Sequence, residues 1–136
     1  MTKFRPCIDL HAGAVKQIVG GTLTTTSSDL QTNFTSEHAA SFYADLYKKH
    51  NLRGGHVIML GPGNDEASKE ALAAWPGGLQ VGGGIKDTNA KYWIDAGAEK
   101  VGNLLLCRHA MASIHALLLG HKQLFILFFF FFFFDK

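Results

Sequence analysis

The chain has 136 residues, 47% of them hydrophobic and 18% charged, which is room for one domain with a modest core and not for two. Thirteen Lys and Arg against eleven Asp and Glu leave a formal charge of +2 with no basic run, so nucleic acid is excluded as an expected partner. Cys7 and Cys107 stand far apart with no thiol nearby, which excludes a disulfide framework, and Met1 to Ala12 lacks the apolar core of a secretory signal, so a cytoplasmic address is expected.

In chain order, Phe4 to Leu10 is a short apolar run that reads as a strand. Gly13 follows, then Ala14 to Val19, read as a continuation of the strand up to Gly20 and Gly21. Thr22 to Thr35 is rich in Thr, Ser, Asn and Gln without an apolar period and is expected to be a loop. After Ser36, Ala39, Phe42, Tyr43, Leu46 and Tyr47 recur at steps of three and four, the buried face of a helix that Gly54 and Gly55 end. His56 to Leu60 is a strand, broken by Gly61, Pro62, Gly63 and Asn64. Asp65 or a neighbour then caps a helix through Ala67, Ala71 and Leu72 to Trp75. Leu79 to Val81 is the next strand, and Gly82, Gly83 and Gly84 lead to Asp87 or Thr88 as cap of a helix carrying Ala90, Trp93 and Ile94. Strand, loop and helix thus repeat at the spacing of βα units, which predicts parallel strands covered by helices.

The pattern fails after Val101. Leu104 to Leu106 reads as a strand and Ala110 to Leu119 as a helix, but Leu124 to Leu127 then runs into Phe128 to Phe134 with no period. That apolar run is shorter than a spanning helix requires, which argues against a membrane anchor. Phenylalanine has pyrimidine-only codons, so the tract resembles translated non-coding sequence. Residues 1–101 are accordingly read as the folded part, and residues 102–136 as a low-complexity tail from a retained intron or frame error.

Two features carry chemistry. Asp9 ends an apolar run in Cys7-Ile8-Asp9-Leu10-His11, and a carboxylate at the carboxyl end of a parallel strand is placed to move a proton; a turn cap or a solvated side chain is the plain alternative. Gly82-Gly83-Gly84 lies between a strand and a helix, where backbone N–H groups without Cβ atoms can face an anion such as phosphate; a tight turn is the alternative. The seven histidines form no HExxH or i, i+4 pair, so no metal site is expected, and Cys7 has no local sign of activation as a nucleophile. Phe42, Tyr43 and Tyr47 read as core packing.

Four ordered motifs now stand together: Cys7-Ile8-Asp9-Leu10-His11, the run Val15 to Leu23, the run His56 to Asn64, and Leu79-Gln80-Val81-Gly82-Gly83-Gly84-Ile85. With them the chain resembles, over residues 3 to 101, the eukaryotic branch of the histidine-biosynthesis isomerase family, the phosphoribosylformimino-5-aminoimidazole carboxamide ribotide isomerases. The resemblance implies an α/β fold, a (βα)8 barrel of which this is roughly the N-terminal half, and an Amadori rearrangement of an aminoaldose to an aminoketose without metal or coenzyme. It implies Asp9 as the general base at sugar C2, Gly82, Gly83 and Gly84 as the seat of one phosphate of a bisphosphorylated small-molecule substrate, and Gly20, Gly21 and Thr22 as the start of a loop that closes over the site.

The chain also departs from that pattern. A complete barrel takes about 200 residues or more, and the resemblance stops at Val101, before the fifth-strand aspartate that would be the general acid. The chain alone is therefore expected to be inactive. The family is expected to be monomeric, whereas in this chain Ile8, Val57, Met59 and Val81, taken as inward-facing, would lie open beside an unpaired edge strand and favour self-association or aggregation. Gln17-Ile18-Val19-Gly20-Gly21 and Leu60-Gly61-Pro62-Gly63 favour the isomerase over the sister cyclase of the same pathway, which shares the first-strand aspartate and the triple glycine. A non-enzymatic fragment that binds phosphate compounds or membranes is the alternative from another class.

Overall fold

A computed structural model describes residues 4–19 and 31–102 of the chain. Within them β1 (Cys7–His11), β2 (Ala14–Ile18), β3 (Thr32–Thr35), α1 (Ala40–Lys49), β4 (Gly55–Met59), α2 (Asp65–Ala74), β5 (Leu79–Gly82), α3 (Asp87–Asp95) and β6 (Lys100–Gly102) follow in order. The strands form a sheet in the order β3-β2-β1-β4-β5-β6. The pairs β1–β4, β4–β5 and β5–β6 are parallel, as βα units require. This is a segment of a (βα)8 barrel, four parallel barrel strands with three helices on one side and an antiparallel ribbon at one edge.

That ribbon departs from two expectations. The residues Ala14–Ile18 do not continue β1. Ala12 and Gly13, at φ 50° and 77°, make a two-residue reverse turn of the kind that suits hairpin twist, and β2 returns antiparallel with His11 opposite Ala14. The end of the expected Thr22–Thr35 loop is also a strand: β3 pairs with β2 through Lys16–Thr35 and Gln17–Phe34. Its residues are all exposed, so no alternating apolar signal marks it, and backbone pairing alone supports it.

Sheet register decides which side chains meet the helices. Ile8, Val57, Val81 and Val101 lie in one row and Leu10 opposite Met59. Apart from Val101 these residues are buried, packed with Ala40, Ala44, Ala71, Leu72, Trp75 and Trp93 in the core between sheet and helices. The assignment of Ile8, Val57, Met59 and Val81 as open inward faces is therefore corrected by one residue of parity. In this sheet the large apolar side chains point to the helices, and the opposite face carries Cys7, Asp9, His56 and Gln80.

α1 is also rotated from its expected orientation. Its buried residues are Ala40 and Ala44, with Tyr43 and Tyr47 packed beside them. Phe42, expected in the core, is 47% exposed and Leu46 39%. Small alanines let the helix backbone approach the sheet closely, so the larger ring is displaced outward, where Phe42 stacks on His38 at 4.2 Å. Tyr47 serves two purposes, packing its ring and donating its hydroxyl to the Cys7 carbonyl at 2.9 Å, which fastens α1 to β1. The start of α2 is as expected, with Asn64, the neighbour of Asp65, at the cap, whereas α3 starts earlier than an Asp87 or Thr88 cap would give. Asp65 and Asp87 are the first helical residues, and Asn64 and Lys86 occupy the cap positions; both aspartates still place negative charge against a positive helix end.

Among the described residues no helix is long and apolar enough to cross a membrane. The expectations for Gly20, Gly21 and Thr22, for Leu104 to Leu106, for Ala110 to Leu119 and for the phenylalanine tract lie outside the described residues.

Candidate functional site

Asp9 sits in the middle of β1, opposite Ile58 of β4, and Ile58 lies opposite Gly82 at the end of β5. The row therefore runs Asp9, Ile58, Gly82 across three adjacent parallel strands, and at about 4.8 Å per strand the two ends are about 10 Å apart. They lie on the face turned away from the helices. Burial raises the Asp9 carboxyl above the ordinary carboxylate value, because little water remains to solvate the charged form. A carboxyl whose proton affinity is moved toward neutrality by its site is suited to taking a proton from carbon and returning it.

Beyond Gly82 the chain turns left-handed at Gly83 (φ 89°) and Gly84 (φ 70°). Only glycine accepts this at Gly83, because an added Cβ would collide with the Met59 carbonyl. Gly83 and the exposed Gly84 leave bare backbone between β5 and α3, a glycine cradle where an anion can approach the main chain closely. Asn89, in the first turn of α3, holds the loop at both ends. Its Oδ1 accepts from the Lys86 N–H at 2.7 Å and its Nδ2 donates to the Gly84 carbonyl at 3.2 Å. Sequence reasoning passed over Asn89, although an amide side chain one turn into a helix after a glycine run is the available signal.

A cleft of about 350 Å³ opens beside the cradle, lined by Met59, Gly61, Pro62, Asp65, Gly83, Gly84, Asn89, Tyr92 and Trp93. Asp9 does not line it. Met59 and Trp93 belong to the helix side of the strand ends, whereas Asp9 projects from the other face, so the glycine loop spans the boundary between the cleft and the carboxyl row.

The row toward the amino ends of the strands is also polar, with Cys7, His56, Gln80 and Lys100 in register. His56 and Gln80 are buried. His56 binds its proton less readily than a free imidazole, first because of burial and then because of the Arg5 charge. The Cys7 thiol is pushed up to about 12, by burial and then by Asp9, so it stays protonated and unreactive at neutral pH. Among the described residues no three His, Cys, Asp or Glu side chains are grouped to hold a metal ion. The structure thus puts Asp9, mid-strand in β1, in one register row with Gly82 at the end of β5; Gly20, Gly21 and Thr22 lie outside the described residues.

Comparison with known proteins bears on what such a site serves. A family model described as histidine biosynthesis protein matches residues 3–103. The 1-(5-phosphoribosyl)-5-((5-phosphoribosylamino)methylideneamino)imidazole-4-carboxamide isomerase of Neurospora crassa is 67% identical over 101 residues, covering 74% of this chain and 39% of that protein. The isomerase of the same name from Saccharomyces cerevisiae is 60% identical over 95 residues, covering 69% and 36%. A Medicago truncatula relative, named as the chloroplastic isomerase, is 56% identical over 105 residues, covering 73% and 34%. The chain spans a little over a third of the length of these curated relatives. A sheet of parallel βα strands that holds a carboxyl and a glycine cradle, matched by a family model across every described residue, has one reading: the chain belongs to the histidine biosynthesis protein family.

Proposed function

We propose that this chain carries the base and one phosphate seat of an intramolecular aldose–ketose isomerase acting on a phosphoribosyl aminoimidazole carboxamide intermediate of histidine biosynthesis. The observation that carries the proposal is the register row joining Asp9 to Gly82, with the left-handed Gly83 and Gly84 directly beyond it. In an Amadori rearrangement protonation of the ring oxygen opens the sugar to a C1=N iminium; a base then removes the proton from C2, its electron pair forms the C1=C2 bond as the C1=N π pair returns to nitrogen, and the enaminol takes a proton at C1 while its C2 hydroxyl gives one up, leaving the aminoketose. A phosphate held in the cradle fixes the substrate relative to Asp9, so the proton transfer occurs within one bound geometry. The names of the relatives favour the isomerase over the sister cyclase.

The substrate is a small bisphosphorylated molecule with one phosphate at Gly82–Gly84. The second phosphate seat and the general acid belong to the part of the barrel that this chain does not match, so the chain alone is expected not to turn over. The compartment is the cytoplasm in this reading, although one plant relative is named chloroplastic. With β6 at the sheet edge among the described residues, backbone pairing of two chains there supports self-association.

The test is a chimera in which residues 4–102 of this chain replace the matching segment of the Neurospora crassa isomerase. Product formation is expected, with a loss of about 10²–10⁴ in rate for Asp9→Asn. A chimera that folds and turns over equally well with Asn at position 9 would overturn the assignment.

A further inference from the structure

Asn64 occupies the N-cap position of α2, yet its side chain makes no hydrogen bond to that helix. Asparagine at this position ordinarily accepts from the second or third helical N–H and stabilises the helix end. Here the buried side chain turns elsewhere. Its Oδ1 accepts from the Gly13 N–H at 2.9 Å, across 51 residues of sequence, and its Nδ2 donates to the carbonyls of Gly61 at 2.8 Å and Leu60 at 3.4 Å. Gly13 is the second residue of the left-handed turn that closes β1, four positions after Asp9. Leu60 also donates its N–H to the Leu10 carbonyl at 2.7 Å. The β1–β2 turn and the β4–α2 loop are therefore joined by one buried amide.

The geometry points to Asn64 as a positioning residue that clips the end of β1 to the loop after β4 and so fixes the Asp9 carboxyl within the rim. This deepens the isomerase reading and rests on it for the role of Asp9. Asn64 touches neither Asp9 nor the glycine cradle; it acts through the turn. Without the amide, the Gly13 N–H and the Gly61 carbonyl lose their partner, and the exposed turn that carries Gly13 opens to water more often. Water admitted behind the β1 turn solvates the charged form of Asp9 and lowers its proton affinity toward the ordinary value.

The test uses two variants of the full chain. Asn64→Ala removes both functions of the amide. In Asn64→Ser the short hydroxyl can cap α2 but cannot span to Gly13, so helix stability is kept while the clip is lost. Amide exchange at Gly13 and the titration of the Asp9 carboxyl carbon are followed by NMR, beside thermal melting. Exchange at Gly13 is expected to rise about tenfold or more and the Asp9 midpoint to move down in both variants, while Asn64→Ser melts close to the parent. If Asn64→Ala does not fold, Asn64→Ser decides the matter alone. An unchanged Asp9 titration in folded Asn64→Ser would overturn the proposal and leave Asn64 as a brace of the loop. Failure of the isomerase reading shows separately, as an absence of shifts at Gly83 and Gly84 when inorganic phosphate is added to the parent chain.

Discussion

Alanine substitution at the two left-handed glycines separates backbone conformation from close approach. At Gly84 (φ 70°) an added Cβ meets nothing within 4 Å, so Gly84→Ala carries only the left-handed penalty of about 1–2 kcal/mol, partly offset by the stiffer unfolded chain, about 0.4–1 kcal/mol. A net loss near 1 kcal/mol is expected. At Gly83 (φ 89°) the same Cβ would stand 2.9 Å from the Met59 carbonyl carbon and 3.0 Å from the Met59 nitrogen, with the carbonyl oxygen nearer still. These are backbone atoms of β4 and cannot swing aside, so an overpacking cost of about 1–3 kcal/mol is added, for a total of about 2–4 kcal/mol. Urea unfolding followed by tryptophan fluorescence measures the difference, since Trp75 and Trp93 are both in the core. Equal destabilisation of the two variants would show that the cradle is not seated against β4, and the geometry assigned to the phosphate site would fail with it.

Other consequences follow from burial and hydrogen bonding. Because burial raises the Asp9 carboxyl above its ordinary 3.8, the folded chain keeps that proton to higher pH than the unfolded chain does. The stability this gives is complete below pH 3.8 and is lost as pH rises through the folded midpoint; Asp9→Asn should therefore gain stability over the parent at neutral pH and none in acid, as paired melts at the two pH values would show. Cys7, with its thiol at about 12, should react with iodoacetamide far more slowly in the folded chain at pH 8 than in urea, read by mass spectrometry; equal rates would contradict its burial. Tyr47→Phe deletes the bond to the Cys7 carbonyl and should cost about 0.5–1.5 kcal/mol, whereas Leu72→Ala in the core should cost about 2–5 kcal/mol; both are checked by urea unfolding.

Glycine and apolar runs made the parallel strands and the three helices readable, because each βα unit here carries its own punctuation: Gly54-Gly55 at the start of β4, Gly61-Pro62-Gly63 after it, and Gly82–Gly84 from the last residue of β5 onward. Strand parity was not readable from the same runs. Alternation tells that Ile8 and Asp9 face opposite sides, not which side the helices occupy, and the buried His56 and Gln80 show that the non-helical face also excludes water. β3 was hidden because its side chains are all exposed and its pairing is backbone only. Phe42 misled because hydrophobicity favours the ring while close packing favours Ala40 and Ala44. Asp9 and the glycine loop stood out by residue type, but Asn64 and Asn89 acquire their roles from partners 51 and 5 residues away, and nothing local in the sequence marks a partner that distant for Asn64.

The central claim is that the Asp9 carboxyl and the Gly83–Gly84 amides belong to one electrostatic site, separated by about two strand spacings, or about 10 Å. Inorganic phosphate titrated into the isotope-labelled chain at low ionic strength, with those amides and the Asp9 carboxyl carbon observed together, tests it most directly. Saturable shifts at Gly83 and Gly84, with the Asp9 midpoint rising as the bound anion disfavours a second negative charge, are the expected result. Phosphate that moves the glycine amides and leaves the Asp9 midpoint unchanged would contradict it.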